Sequence, residues 1–274
     1  MAADDRANGP LPKLRIRGLK KAFDQNVVLD GVDLDIQAGD NLVLLGASGS
    51  GKSVLLKCIL GLMSPDAGSI LVDGREVRDL TSEERQQLMR KTGVLFQNGA
   101  LFDSLTVWQN VAFGLMHGNG ISAKRAREVA IEKLAAVGLG ADVADLYPAA
   151  LSGGMQKRVA LARAIAADPE ILFLDDPTAG LDPILTTIID QFILRSLEAL
   201  GATALTITQN VQSARRIADR IAVLHGGRII WEGPVDEVDR TGNPHVNEIV
   251  RPAHAAKRIE QGAGELPRSD GPPR

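Results

Sequence analysis

An eight-residue stretch, GASGSGKS at residues 46–53, constrains the fold of this chain more than any other part of the sequence. It fits the pattern G-x-x-x-x-G-K-[S/T], a glycine-rich loop whose backbone amides surround phosphate groups. A short apolar segment, residues 41–45, runs directly into it, and apolar side chains recur at helical spacing after it. Backbone N–H groups at a helix start, together with the positive end of the helix dipole, favour a bound phosphate. The stretch therefore predicts a strand, a phosphate-binding loop and a helix in succession.

The side chains of this loop have separate predicted roles. Lys52 reaches the terminal phosphates of a nucleotide, and the Ser53 hydroxyl ligates Mg²⁺. The predicted nucleotide-binding residues of the segment are Gly46, Ala47, Ser48, Gly49, Ser50, Gly51, Lys52, Ser53 and Val54. The alternative interpretation is a glycine-rich turn that happens to precede a helix.

Composition narrows the classes of function. Aromatic residues make up 3% of the chain, which argues against stacking platforms for single-stranded nucleic acid. The net charge is −3 and no basic stripe stands out, so no nucleic-acid partner is expected. The single cysteine, Cys58, excludes a disulfide framework and suits a reducing compartment; we expect it to be a small buried residue. The histidines show no ligand-like spacing, so they predict no metal site.

Features that would place the chain in or across a membrane are missing from the sequence. No apolar run approaches the roughly 20 residues that a helix needs to cross a bilayer. Residues 1–12 contain Asp4 and Asp5 and lack the apolar region of a signal peptide. We therefore expect a cytoplasmic protein whose contact with a membrane depends on a partner.

Alternating strands and helices predict an α/β fold, a sheet layered by helices, with a helical insertion at about 98–165. Within residues 27–36, apolar and acidic side chains alternate, as in an antiparallel strand with one buried face. The predicted strands are residues 14–23, 27–36, 41–45, 69–72, 93–97, 171–174, 202–208, 221–224 and 228–231. Helices are predicted after the phosphate loop, at about 82–90, 122–137, 152–167 and 184–200, and up to about 219. Residues 1–12 are expected to be disordered and residues 251–274 to form a flexible tail.

A second glycine-containing segment, residues 151–155, lies a little over twenty residues before Asp175, which ends an apolar strand. Ser152 followed by Gly153 and Gly154 lets a backbone and a helix start approach a phosphate closely, although such a triplet alone is more often a simple helix cap. With the phosphate loop at residues 46–53, the combination resembles the ATP-binding cassette (ABC) family over residues 14–250.

That resemblance implies a fold and a mode of assembly. The fold would be a RecA-like P-loop core with an antiparallel β subdomain and an inserted α-helical subdomain, together forming an ABC ATP-binding domain over residues 13–250. Two such cassettes pair head to tail in the family, and the segment at Ser152, Gly153 and Gly154 closes over the ATP of the other molecule. The resemblance therefore implies a homodimer, in which a second copy of the chain also contacts the nucleotide.

The remaining family motifs match in order. By resemblance, Phe23 stacks on adenine, although alone it would be read as a core residue. Gln97 ends its strand where the family's Q-loop amide touches Mg²⁺ and the attacking water, and senses the membrane subunit. Asp175 matches the Walker B aspartate that holds Mg²⁺ through water, and Asp182 ends the D-loop, which communicates across the dimer.

Two positions depart from the family pattern. Asp176 stands where the family has a glutamate that orients the attacking water, and Gln209 replaces the histidine that contacts the γ-phosphate. Misplacing a catalytic group by about 1 Å costs on the order of a hundredfold in rate. The predicted catalytic set is Lys52, Gln97, Asp176 and Gln209. We expect tight Mg²⁺-dependent ATP binding with slow hydrolysis; the alternative is a compensated site in which a small backbone shift lets Asp176 reach the water.

Residues 96–111, FQNGALFDSLTVWQNV, are the most discriminating stretch for the type of transporter. They resemble the Mla-type ATPases that drive phospholipid transport between bacterial membranes. Met155, at a position where most cassettes have glutamine, also fits that group. This implies an integral-membrane permease, a lipid-binding periplasmic component and a peripheral position on the cytoplasmic face of the inner membrane. Phe102, Leu105 and Val107 are candidates for the pocket that receives the permease. The alternative is a generic cassette for another substrate.

Two other functions share the same cassette fold. A soluble ATP switch acting in DNA repair or on ribosomes usually has two cassettes or long insertions, which this chain lacks. A degenerate regulatory cassette, paired with a different active one, would explain Asp176 and Gln209.

Overall fold

The computed structural model describes residues 11–118 and 120–251. Within these residues, ten strands form two sheets and eight α-helices flank them. The strands are β1 (Leu14–Phe23), β2 (Asn26–Ile36), β3 (Asn41–Leu45), β4 (Ala67–Val72), β5 (Arg75–Glu76), β6 (Thr92–Leu95), β7 (Ile171–Asp175), β8 (Thr203–Thr208), β9 (Arg220–His225) and β10 (Arg228–Pro234). The helices are α1 (Lys52–Ile59), α2 (Ser82–Arg90), α3 (Val107–Gly118), α4 (Ala123–Ala136), α5 (Gly153–Ala164), α6 (Pro183–Leu200), α7 (Val211–Ile217) and α8 (Pro244–Val250).

The larger sheet has six strands in the order β10-β9-β3-β8-β7-β6. Strand β3 pairs in parallel with both β8 and β9, and β7 pairs in parallel with β6 and β8. Strands β3 and β8 are buried along their whole length, as expected when helices cover both faces of a parallel sheet. The loop at residues 46–53 leaves the carboxyl end of the central strand β3, the edge where open α/β sheets bind ligands.

The smaller sheet is antiparallel, with strand order β2-β1-β4-β5. In β2, Val32, Leu34 and Ile36 are buried while Asp33 is exposed, which confirms the predicted one-face-buried antiparallel strand. Its buried side chains form one core with those of α1 and the adjacent face of the larger sheet. Cys58 lies in that core, as expected for a small buried residue.

Helices α3, α4 and α5 follow β6 and precede β7 along the chain, and they pack on one another. Ser122 caps α4 by accepting a hydrogen bond from the Arg125 amide, and Gly138 follows the helix with φ 71°. Both features confirm the predicted helix over 122–137, since the cap serves an otherwise unpaired amide and glycine tolerates a left-handed backbone. The Thr81–Glu84 capping box is likewise present at the start of α2.

Several element boundaries differ from the sequence predictions. Strand β6 ends at Leu95, so the expectation that Gln97 ends its strand is wrong; Gln97 lies in a turn two residues further on. Helix α5 ends at Ala164 rather than near 167. Helix α8 was not predicted. Most of the segments predicted to be disordered or flexible, at 1–12 and 251–274, lie outside the described residues.

No helix in residues 11–118 and 120–251 combines the length and the apolar character that crossing a bilayer requires.

Candidate nucleotide-binding site

The loop at residues 46–53 needs glycine at two places for steric reasons. A Cβ on Gly46 would lie 2.5 Å from Ser50 Oγ and 2.7 Å from the Leu224 carbonyl oxygen. Gly51 has φ 101°, and a Cβ there would lie 3.0 Å from the Val28 carbonyl oxygen. The backbone of the loop therefore packs directly on neighbouring backbone, which fixes its path and the direction of its amides.

The first turn of α1 carries neither a side-chain cap nor an acidic side chain. Gly51 is the N-cap, so the first amides of the helix have no side-chain acceptor. Ser50 Oγ is buried in the same loop without a hydrogen-bond partner among the described residues. These donors and the positive end of the helix dipole together fit an anionic group such as a phosphate.

Lys52 spans the mouth of the loop. Its ammonium group donates to the carbonyl oxygens of Gly46, at 2.7 Å, and Ala47, at 2.8 Å. Burial lowers the pKa of Lys52, and the carboxylates of Asp176 and Asp175 oppose that shift. The two hydrogen bonds to loop carbonyls hold the Lys52 side chain over the loop.

Asp175 ends β7 and lies next to the start of α1. Burial, followed by the neighbouring Asp176, raises the pKa of Asp175, and the nearby Ser53 hydroxyl opposes that shift. In the described part of the chain, no three His, Cys, Asp or Glu side chains form a cluster able to hold a metal ion. Ser53 and Asp175 supply the hard oxygen atoms that Mg²⁺ prefers, and they fit a cation that also takes phosphate oxygens as ligands.

Asp176 is fixed by strand β8. Its backbone has φ 44°, in the left-handed region, and its amide donates to the Ile207 carbonyl at 2.7 Å. The buried Thr208 hydroxyl donates to Asp176 Oδ1 at 2.8 Å. One carboxylate oxygen is therefore committed to the protein, and the direction of the other is set by the same hydrogen bond.

Gln209 follows β8 directly and is exposed. The next residue, Asn210, caps α7 by accepting hydrogen bonds from the Gln212 and Ser213 amides. Gln209 is therefore held between a buried strand end and a capped helix start, at the same edge of the sheet as residues 46–53.

Ser152, Gly153 and Asp182 all lie at helix starts. Ser152 is exposed and caps α5, its hydroxyl accepting from the Met155 amide at 3.3 Å. Gly154 is buried, and a Cβ on it would lie 3.4 Å from Leu185. Asp182 caps α6 through bonds from the Ile184 and Leu185 amides, so one of its carboxylate oxygens serves the helix.

A cleft of about 340 Å³ separates the start of α5 from the loop before α6. Its lining residues are Asn98, Gly153, Gln156, Lys157, Ala179, Gly180 and Leu181. The cleft brings three predicted motifs together within one chain: the turn after β6, the segment at 152–154 and the loop at 179–182.

Phe23 lies at the end of β1 and is 43% exposed, so its interpretation as a core residue is wrong. The Lys21 ammonium lies 5.6 Å from the centre of its ring. One face of the ring is thereby near a cation, and the exposed part of the ring is free to stack.

The three residues proposed to receive a permease differ in exposure. Phe102 is 43% exposed, and its ring centre lies 4.6 Å from that of Phe113. Leu105 is half-buried. Val107 is fully buried, so its assignment to a docking pocket is wrong: it begins α3 and packs into the core of the helical region.

Two residues that hold predicted site residues in place were not identified from the sequence. Thr208 anchors Asp176, and Lys157 lies in the cleft and donates to the Gln97 carbonyl. Both are next to recognised motifs, but their partners lie 32 and 60 residues away along the chain, which no local pattern reveals.

Comparison with known protein families gives a match over more than half of the chain. The sequence profile of the ABC transporter family matches residues 29–179. The chain belongs to the ABC transporter family, and it is the ATP-binding, ATPase part of such a transporter.

Curated relatives carry several names. The chain is 39% identical over 237 residues to the "probable ribonucleotide transport ATP-binding protein mkl" of Mycobacterium leprae, covering 86% of this chain and 68% of that protein. It is 38% identical over 252 residues to the chloroplastic protein trigalactosyldiacylglycerol 3 of Arabidopsis thaliana, covering 86% and 72%. The match covers 66% of the mkl protein of Mycobacterium bovis, so the chain spans about two thirds of the length of these relatives.

Solved structures agree with the fold. The dimeric post-hydrolysis state of the ATP-binding cassette MJ0796, bound to ADP and Pi, is 31% identical, with TM-score 0.74 over 81% of this chain and 98% of that chain. The cbiO1 structure from Clostridium perfringens, part of the ABC transporter complex cbiONQ, is 28% identical, with TM-score 0.76 over 92% and 100%. The α/β cassette fold is thereby confirmed.

Proposed function

We propose that this chain is the ATP-binding subunit of an ABC transporter that moves phospholipid between bacterial membranes, driven by ATP-dependent closure of a cassette dimer. The glycine-lined loop over the uncapped start of α1, with Lys52 across its mouth, carries the nucleotide part of the proposal. Residues 46–54 bind the phosphates, and Phe23 stacks on the adenine.

Ser53, Asp175 and Gln97 would hold Mg²⁺ beside the phosphates. The bound ion would neutralise charge on the β- and γ-phosphate oxygens. The Ser53 hydroxyl lies near enough to Asp175 to lower the pKa of its carboxyl, and Gln97 follows β6, the strand that pairs with β7.

Hydrolysis would depend on Asp176 and Gln209. Asp176 orients and polarises the attacking water, and Gln209 donates a hydrogen bond to the γ-phosphate without a titratable charge. Because Thr208 already holds one oxygen of the shorter Asp176 side chain, we expect slow hydrolysis and tight binding.

A second copy of the chain would complete the site. Ser152, Gly153 and Gly154 of one molecule would cover the ATP held by the other, with Asp182 at the dimer contact. The exposure of Ser152 and Gly153 supports this, as does the dimeric state of the MJ0796 cassette. ATP adds contacts only in the closed dimer and so shifts the population towards closure, and loss of the γ-phosphate reopens it.

The chain would lie on the cytoplasmic face of the inner membrane, bound to permease subunits, with a lipid-binding periplasmic component on the far side. The exposed ring of Phe102, supported by Phe113, offers the permease an apolar anchor.

Phospholipid is favoured by residues 96–111 and by a relative named after trigalactosyldiacylglycerol, a lipid. Other relatives are named for ribonucleotide transport and methionine import, so a cassette for one of these solutes is the competing function. A regulatory cassette with little hydrolysis is the other.

Nucleotide binding is tested by calorimetry with ATP and Mg²⁺. Lys52→Ala should weaken ATP binding at least tenfold because the cation over the phosphates is lost, whereas Lys124→Ala, on the exposed face of α4, should bind like the wild type. Unchanged binding by Lys52→Ala would exclude the proposed cradle.

Transport is tested with the complex purified through a tag on this chain. The co-purified permease is identified by mass spectrometry, and the complex is placed in vesicles of phosphatidylethanolamine and phosphatidylglycerol. ATP-dependent loss of labelled phospholipid supports the proposal. Stimulation of the ATPase by methionine or a ribonucleotide instead would assign the competing function, and a second, distinct cassette in the complex would assign the regulatory one.

A further inference from the structure

The turn after β6 is held by helix α5 of the same molecule. Lys157 donates from its ammonium group to the Gln97 carbonyl oxygen. Six residues further along α5, Arg163 donates to the carbonyl oxygens of Gly99 and Ala100, the latter at 2.7 Å. Three carbonyls within four residues therefore accept hydrogen bonds from two cationic side chains of one helix.

The turn needs this support because its own backbone is unfavourable. Gly99 has φ 73° and Ala100 has φ 48°, and a left-handed alanine brings its Cβ close to the following carbonyl oxygen. Gly99 also lies close to α5, since a Cβ on it would be 3.4 Å from the Ala160 methyl group. Contacts with α5 thus select the conformation of the segment that carries the Gln97 side chain.

Lys157 also lies near the acidic residues of the site. Asp176 and Asp175 both act on its ammonium group through space, against the effect of burial. The same side chain lines the cleft between the start of α5 and the loop at 179–181. Lys157 therefore moves with the helix that Ser152 caps, and it holds the backbone of Gln97.

We propose that Lys157 is a positioning residue for ATP hydrolysis, which acts in the same chain by fixing the Gln97 backbone to the helix that begins with the Ser152–Gly154 segment. Movement of α5 when the second cassette closes would then reposition the Gln97 side chain directly. The inference rests on the proposed role of Gln97 and is independent of the substrate transported.

The variants are chosen to separate charge from volume. Lys157→Met keeps the length of the side chain and removes the donor, and Lys157→Arg keeps a cationic donor. Lys124→Met, at an exposed position of α4, is the matched control. We measure equilibrium binding of a fluorescent ATP analogue with Mg²⁺, and single-turnover hydrolysis at saturating ATP, for the full chain.

We expect Lys157→Met to hydrolyse ATP about tenfold more slowly with nucleotide affinity within about twofold of the wild type, because the hydrogen bond that it loses goes to the Gln97 carbonyl and not to residues 46–53. Lys157→Arg should retain a rate within about threefold, and Lys124→Met should match the wild type. If Lys157→Met loses nucleotide binding, the same measurements are made with Lys157→Gln, whose side chain is polar and uncharged. An unchanged hydrolysis rate in the uncharged variants would overturn the inference.

A double-mutant cycle with Gln97→Ala tests whether Lys157 acts through Gln97. In that background, Lys157→Met should slow hydrolysis by less than twofold, since the side chain that it positions is gone. A full tenfold loss in both backgrounds would show an independent, merely structural effect and overturn the inference. The single variant Gln97→Ala tests the proposed role of Gln97 separately, because that role requires hydrolysis to fall whatever Lys157 does.

Discussion

At the scale of single residues, two carboxylates are held in different surroundings. Asp176 has its backbone in the left-handed region and one oxygen bound by Thr208. Asp190, in α6, is 1% exposed and accepts hydrogen bonds from Ser213 and Arg216 of α7. Thr208 fixes the first at the edge of the sheet, and the second ties together the helices that begin beside Asp182 and Gln209.

The departures at 176 and 209 should limit the hydrolysis rate. The double variant Asp176→Glu with Gln209→His is expected to hydrolyse ATP about tenfold faster in a single turnover. The longer side chain carries its carboxylate past Thr208 towards the water, and histidine restores a group that can be charged near the γ-phosphate. ATP affinity, measured in parallel, should stay within about threefold, because residues 46–53 are unchanged. The absence of any acceleration would favour the compensated site.

Removing the buried carboxylate of α6 should destabilise the fold. Asp190→Ala is expected to lower the free energy of unfolding by about 2–3 kcal/mol, because two hydrogen bonds to a charged group are lost. Chemical denaturation measures this. Glu198→Ala, at an exposed position of the same helix, should change the free energy of unfolding by less than about 0.5 kcal/mol. Equal effects at both positions would show that the contact with α7 contributes little.

At the scale of elements, ion pairs fasten the last described segments to helix α7. The carboxylate of Asp239, in a short helix at 235–240, accepts two hydrogen bonds from Arg215 of α7 and one from Arg251 after α8. Arg215, and to a lesser extent Arg251, lowers the pKa of Asp239 to about 2. The carboxylate is 42% exposed, so solvent screens the pair and its contribution to stability is small.

This clamp predicts a defined pH dependence. The pKa of Asp239 is lower in the folded state than its ordinary 3.8, so its stabilising effect is present above about pH 4 and is lost as the pH falls towards 2. Asp239→Asn should therefore be less stable than the wild type at pH 7, by at most about 1 kcal/mol, and nearly equal to it at pH 2. Urea unfolding at both pH values measures the difference, with the exposed Asp236→Asn as control. A constant difference across this range would contradict the assignment.

At the scale of the whole molecule, the proposed nucleotide site needs two segments that lie at different places on the surface of each chain. Residues 46–53 lie at the carboxyl end of β3, whereas Ser152 and Gly153 lie exposed at the start of α5. Pairing two copies head to tail would bring each segment over the other, which the sequence resemblance implies and the dimeric relatives support.

Cross-linking between molecules tests this pairing. In a Cys58→Ser background, one preparation carries Ala47→Cys and another carries Gly153→Cys, both at exposed positions. The mixed preparations should form a heterodimer with a short bismaleimide in the presence of ATP and Mg²⁺, and far less without nucleotide, because ATP favours the closed dimer. Cross-linking that does not depend on ATP would contradict the proposed closure, and failure of the two segments to react across molecules would exclude the pairing.

Local patterns in the sequence were enough to determine the strand, glycine-rich loop and helix at residues 41–59, the helices α2 and α4, and the one-face-buried strand β2. Each depends on backbone geometry or hydrogen bonds among residues close along the chain, so residue type and spacing suffice. Only the tertiary structure decided that Val107 is core, that Gln97 lies beyond its strand, and that Thr208 and Lys157 hold Asp176 and Gln97. These contacts join residues distant in the chain, and their partners are chosen by the packing of the sheet and helices around them.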